Sequence, residues 1–382
     1  MSEHHDSAGG DLDRHLASYR NEFPILEKKL YLNSCSLGAV PSRGLKALAS
    51  FGDDWADQGT VAWEKWMRKA RLLRVRLADL LGVSPRTICL MPNVSAALAV
   101  VGSCLEFDER KKVVSSELEF PTVLYQWQTR RESALDLAES PDGISIPAEQ
   151  YDPLIDSDTE LVALSHVLYG TGAIQEVAAL TEMAHERGAS VLLDTYHSAG
   201  IIPVDLADLG VDFAVGGILK WLCGGPGLAF LYVREDLIEE MSPRGVGWFA
   251  HSEQFSFDVD FRPASDATKF SFGTPAVAPI YTGLAALEII GEVGIGAIRE
   301  KNVALVERLI EGADHLGLQL HAPRDYRRRG GTVFFAVERP SDVLARLVEA
   351  EVVVDVRGGK VRVSPHFYNT GREIDRFLEL LG

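Results

Sequence analysis

A chain of 382 residues, 46% hydrophobic and 24% charged, is long enough to bury a large core and to divide into two or three domains. Its net charge of −17 disfavours nucleic acid and anionic membrane as partners, because binding phosphate needs clustered cations. The four cysteines (Cys35, Cys89, Cys104, Cys223) form no C-x-x-C pair, which disfavours a zinc site or a disulfide framework and fits a reducing cytoplasm.

No apolar run reaches the length of a membrane span. The polar start of the chain lacks the apolar centre of a signal peptide. Residues 1 to about 20 read as a disordered leader or a loosely docked arm, with His4 and His5 in it and no further metal ligands beside them. Leu30-Tyr31-Leu32 reads as a short strand running into Asn33-Ser34-Cys35-Ser36-Leu37-Gly38. Residues 42–81 are helical in pattern, with Trp55, Trp63, Trp66, Leu72, Leu73, Leu77 and Leu80 at mixed three- and four-residue spacing, and Gly82 ends the run. Those tryptophans suit a core or a subunit surface.

Ile88–Met91 is a strand, and Pro92-Asn93-Val94-Ser95 leads into an apolar helix. Such a strand–turn–helix junction offers free N–H groups to an anion, although Asn93 or Ser95 serves equally as a helix cap. Lys112–Ser116 is the next strand, followed by Glu119-Phe120-Pro121-Thr122-Val123. Leu161–Val167, the turn Gly170-Thr171-Gly172 and a helix through Ala184 form a β-α unit that feeds the strand ending in Asp194.

The most informative stretch is Val191–Val233. Lys220 stands in the apolar run Phe213–Leu222 with no acid within five residues, and Gly224-Gly225-Pro226-Gly227 follows. Taken alone, Lys220 suits a lysine that snorkels to the surface. Withdrawn from water, an amine loses its proton more readily and becomes a nucleophile whose common product is a Schiff base. Asp194 ends a strand at the edge where α/β folds place ligands, and His197 follows it closely. Together these residues supply the lysine and the acid that pyridoxal 5'-phosphate (PLP) needs.

Toward the C-terminus, a helix over about 278–293 precedes Gly294-Ile295-Gly296, an incomplete dinucleotide fingerprint without a preceding strand. Residues 294–382 read as helix, strand, helix, strand, helix. Arg362 stands in Val361–Pro365, and a guanidinium suits a carboxylate, though a lone arginine is as readily a surface ion pair. Arg327-Arg328-Arg329 is either a solvated face or a contact for an acidic substrate.

Asp194-Thr195-Tyr196-His197-Ser198-Ala199-Gly200, Val211–Gly216, Lys220 and Gly224–Gly227 resemble the class V aminotransferase family of fold-type I PLP enzymes. Within it they are most similar to the kynureninases, with D-x-A-H-S-A-G, D-F-A and S-Y-K-Y-L-N-x-G-x-G. The resemblance runs from about Tyr31 to the C-terminus. It implies an α/β fold-type I transferase with an N-terminal arm or segment of the small domain (1–41), a large PLP-binding domain with a mostly parallel sheet (42–283) and a smaller α+β domain (284–382). It places PLP on Lys220, Asp194 under the ring nitrogen, and His197 near the phenolic oxygen. Val94 and Ser95 would meet the phosphate, Phe120 the ring face, and Ser165 the cofactor. Trp248 and Thr274 would reach the phosphate from the second subunit of a homodimer. Arg362 would hold the α-carboxylate of an amino acid substrate, with Ser36 and Gly38 closing over it.

Two departures stand out: Val123 replaces an Asp of the kynureninase pattern, and Leu219 replaces a Tyr that touches the phosphate. The resemblance implies a kynureninase-like β-lyase or hydrolase, with an aminotransferase or an epimerase similar to isopenicillin N epimerase as alternatives. A cysteine desulfurase is disfavoured, since no cysteine follows Cys223 to act as that group's mobile persulfide carrier. A non-catalytic PLP-fold protein is disfavoured by the intact Asp194, Lys220 and Arg362.

Overall fold

Seven short apolar strands form the central sheet of a computed structural model that describes residues 15–382. In chain order they are β1 (Ile88–Met91), β2 (Lys112–Ser116), β3 (Ala134–Ala138), β4 (Thr159–Ser165), β5 (Ser190–Asp194), β6 (Phe213–Gly217) and β7 (Ala229–Val233). Their spatial order is β1-β7-β6-β5-β4-β2-β3. The pairs from β6 to β3 are parallel, whereas β7 runs antiparallel to both β1 and β6. Successive residues point to opposite faces, so each strand feeds two cores. Val162, Leu164, Val191, Leu193 and Ala214 join one apolar cluster; Leu161, Ala163, Leu192, Phe213 and Val215 join the other. Helices cover both faces, which is why the strands carry continuous apolar runs.

The stretch expected as helical throughout, 42–81, is two helices, Ser42–Gln58 and Trp63–Leu81, joined by a 3₁₀ turn. Gly59 stands at the break with φ +53°, a conformation that side chains resist. Gly82 (φ +69°) ends the second helix, as its sequence position implies. Trp66 is buried and Trp55 exposed. Helix Val277–Val293 continues, after a 78° bend at Gly294, as Ile295–His315. No single helix among the described residues is long and apolar enough to cross a membrane.

The C-terminal part holds a four-stranded antiparallel sheet in the order Asp355–Arg357, Lys360–Val363, Val333–Ala336, Gln319–Leu320. It has more strands than the sequence pattern implied, because strands of two or three residues show no periodicity. Leu30–Tyr31 pairs in parallel with Val352–Val353, and Asn33 bridges Ser364, which stitches the N-terminal segment to this part. Residues 15–20, expected to be a loose arm, are helical and docked. Leu16 is buried, and Arg20 donates to Tyr368 O (2.7 Å) and Glu373 (3.0 Å). The remaining leader, with His4 and His5, lies outside the described residues. The arginine cluster also divides: Arg329 is buried against Glu307 and the carbonyls of Pro323 and Arg324, and Arg327 pairs with Asp325.

Candidate active site

The strand ends at one edge of the sheet converge. Ser165 closes β4 and Asp194 closes β5, in register with one another. Asp194 is buried, and its Oδ1 accepts the Tyr196 N–H at 2.7 Å. The chain then turns tightly: Thr195 bonds to Val215 O through N–H (2.8 Å) and hydroxyl (2.9 Å), and Ser198 N–H returns to Thr195 O (3.0 Å). This turn delivers His197 to the lysine loop, where its Nε2 lies 2.8 Å from Lys220 Nζ.

Lys220 follows the end of β6. Its carbonyl accepts the Cys223 N–H (3.0 Å), and Gly224 N–H closes on Ile218 O (2.8 Å). Gly225 (φ +82°) and Gly227 (φ +96°) then bring the chain back into β7. Nζ lies 4.3 Å from the Tyr196 ring centroid and 5.8 Å from that of Phe120. A Cβ at Gly217 would fall 2.6 Å from the Tyr196 ring, so the close seat of that ring requires glycine.

Charge follows from this packing. Burial pulls the Lys220 amine down to about 8; the Asp194 and Cys35 charges oppose that shift, and Arg362 and Arg357 add to it. Burial, then the positive charges of Lys220, Arg362 and Arg357, keep His197 well below its usual range. His197 is therefore uncharged and accepts at Nε2 from the ammonium. Burial raises Asp194 above the ordinary carboxylate range, against the Tyr196 N–H and the Lys220 charge.

Arg362 lies on the Lys360–Val363 strand and is 2% exposed. Its Nη2 donates to Asp355 Oδ2 at 2.5 Å, while its buried Nε has no partner among the described residues. Val94 is buried and Ser95 exposed at the first turn of helix Val94–Cys104. Asn93 caps that helix through Ala96 N–H (2.8 Å), and the amides of Val94 and Ser95 have no carbonyl in their own helix. Gly38 packs on the lysine loop, donating to Leu219 O (2.9 Å), and a Cβ there would sit 2.0 Å from Lys220 O. Ser36 lies in the adjoining turn, its N–H on Asn33 O (3.0 Å).

Trp248 packs against Trp63, Phe249 and Phe257, and Thr274 lines a cavity of about 400 Å³ with Arg71, Arg74 and Gln254.

A family model described as aminotransferase class V matches residues 58–377. The chain belongs to the class V aminotransferase family. It is 34% identical to an uncharacterised aminotransferase, YcbU, of Bacillus subtilis (strain 168), over 93% of this chain and 94% of that protein. It is 30% identical to a kynureninase of Pseudomonas fluorescens, over 100% of this chain and 95% of that protein. An apo cysteine desulfurase from Thermococcus onnurineus NA1 shares the fold at a TM-score of 0.85 and 25% identity, covering 95% of this chain and 96% of that one.

Members of this family are PLP-dependent enzymes, and so is this chain. The residues fit the cofactor. A buried acid ends β5 beside the Lys220 amine, and the first turn of helix Val94–Cys104 presents amides that no carbonyl of that helix takes. Asp355, Arg357 and Glu119 were missed from sequence. Glu119 alone gave a signal, as an acid between strand β2 and an apolar helix; Asp355 and Arg357 sit in a strand too short to recognise.

Proposed function

We propose that the protein is a kynureninase-like β-lyase, cleaving a bond beyond Cβ of an α-amino acid, and that it works as a homodimer. The observation that carries the PLP chemistry is the Lys220 amine, seated 2.8 Å from an uncharged His197 and near a buried Asp194. PLP, when bound, supplies an electron-withdrawing ring joined to the substrate nitrogen. Asp194 would hold the ring nitrogen protonated. The amides of Val94 and Ser95 would take the phosphate, and Phe120 would fix the ring plane. Arg362, released from Asp355, would anchor the substrate carboxylate. Lys220, once free, would move protons between Cα and neighbouring atoms as base and then acid.

Support for the lyase class comes from similarity to kynureninases along the whole chain. Kynurenine itself is disfavoured, because Val123 is a fully buried apolar residue where that pattern has an acid. An aminotransferase is the second reading, favoured by the likeness to YcbU. A desulfurase is opposed by the thiols: Cys35, Cys89 and Cys223 are buried, and burial pushes Cys89 and Cys104 up to about 11 and Cys223 to about 12. Trp248 and Thr274 would serve the partner's site, which gives the dimer its role.

An amino acid panel with mass detection tests the class. A lyase releases a fragment cleaved beyond Cβ with no added acceptor. Keto-acid formation that requires an added amino acceptor would overturn the lyase reading in favour of the aminotransferase.

A further inference from the structure

Beside the proposed cofactor site lies a buried carboxyl without a role in the chemistry above. Glu119 stands between β2 and Phe120 and is 3% exposed, with no cation paired to it among the described residues. Its Oε1 accepts from Ser165 N–H (2.9 Å), Gln175 Nε2 (3.1 Å) and, at greater length, Ser116 Oγ (3.5 Å). Its Oε2 accepts from the Ser165 hydroxyl. Gln175 is held in turn: Nε2 also donates to Ser165 O (2.6 Å), and Oε1 accepts from Tyr151 OH (2.5 Å).

A serine hydroxyl carries one hydrogen. While Glu119 is ionised, that hydrogen is committed to Oε2, and Ser165 offers only lone pairs. When Glu119 is protonated, the carboxyl donates to Ser165 Oγ, and the serine hydrogen is free to turn toward the site. We infer that Glu119 is a positioning residue whose own proton decides whether Ser165 presents a donor or an acceptor to the bound cofactor. This inference rests on the proposed placement of Ser165 against PLP.

Both forms are within reach near neutrality. Burial raises Glu119 to about 7, with the Asp194 charge adding to that rise and the bonds from Ser165 and Gln175 opposing it. The titratable groups facing Glu119 are Asp194 from β5 and Tyr151 from the segment before β4. Burial keeps the Tyr151 hydroxyl protonated throughout this range.

The test uses holoenzyme reconstituted with PLP, its visible spectrum recorded from pH 5.5 to 8.5. Four proteins are compared: wild type, Glu119→Gln, Ser165→Ala and the double variant. Glutamine keeps an acceptor at Oε1 and puts a donor where Oε2 was, which fixes the neutral-acid arrangement. Wild type is expected to show a spectral step near pH 7. Glu119→Gln is expected to hold the low-pH spectrum across the range. In the Ser165→Ala background the same change is expected to have no further effect. A wild-type titration retained by Glu119→Gln would overturn the inference, as would a Glu-to-Gln effect of full size without Ser165. If Glu119→Gln does not fold, Ser165→Ala alone decides, since it is expected to hold PLP yet lose the step, and keeping the step counts against the inference. A wild type that never takes up PLP overturns the cofactor site itself, an outcome distinct from a coloured protein with an unaltered spectrum.

Discussion

The loop around Lys220 and the hairpin around Arg362 each withdraw a cation from water, and they treat it in opposite ways. The hairpin supplies a counter-charge: Asp355 Oδ2 takes Arg362 Nη2 at 2.5 Å and Arg357 Nε at 2.8 Å. The loop withholds one, giving Lys220 an uncharged imidazole and two ring faces. An arginine stays charged wherever it is placed, so pairing holds it as a permanent anion receptor. A lysine without a paired acid is pulled toward neutrality, here to about 8, and gains the freedom to pass a proton. One region is built to hold a charge and the other to lose one.

The largest effect that sharpens this contrast is expected from Lys220→Ala. Turnover should fall roughly 10³-fold or more, the scale of a lost positioned base and nucleophile. Steady-state kinetics across the amino acid panel checks it, and activity within ten-fold of wild type would contradict the role given to the loop. Next comes Arg362→Leu. It removes a charge-assisted contact worth about 1.5–3 kcal/mol, so kcat/KM should fall roughly 10- to 100-fold. The amount of PLP bound should stay unchanged. Loss of PLP as well would show that the two regions do not act separately.

A smaller change is expected from Phe120→Ala. Ring stacking of about 0.5–1.5 kcal/mol corresponds to a PLP Kd weakened up to roughly ten-fold, read by fluorescence titration. The smallest effect is one of stability in the apoprotein. Between pH 8 and 10.5 the unfolded chain binds the Lys220 proton and the folded chain does not, so stability rises with pH there. Below pH 8 both states are protonated, and the folded state bears the full burial penalty. Lys220→Met should remove a slope on the order of 1 kcal/mol between pH 8 and 9.5 in urea unfolding. A slope that survives the substitution would mean that Lys220 titrates as an ordinary lysine.

The same contrast explains what the sequence disclosed. The lysine loop was legible because its signals are local: apolar strands of four to seven residues, an acid at a strand end, glycines where φ turns positive. Arg362 was legible as a residue, but its setting was not. Asp355 and Arg357 reach it through a hairpin whose strand spans only three residues, too short for a period. Ser165 was legible as a residue, but Glu119, which accepts from its hydroxyl, is brought there from another strand end 46 positions away in the chain. The break at Gly59 and the burial of Arg329 were hidden for a related reason. A helical pattern continues across a single turn of 3₁₀, and an arginine triplet does not reveal which member faces inward.

The measurement that bears most directly on the Lys220 loop is borohydride reduction of the purified protein with PLP, followed by peptide mass mapping. The pyridoxyl group is expected on the peptide that contains Lys220, and nowhere else. A label on another lysine, or no label at all, would contradict the assignment of Lys220 as the residue that carries the cofactor.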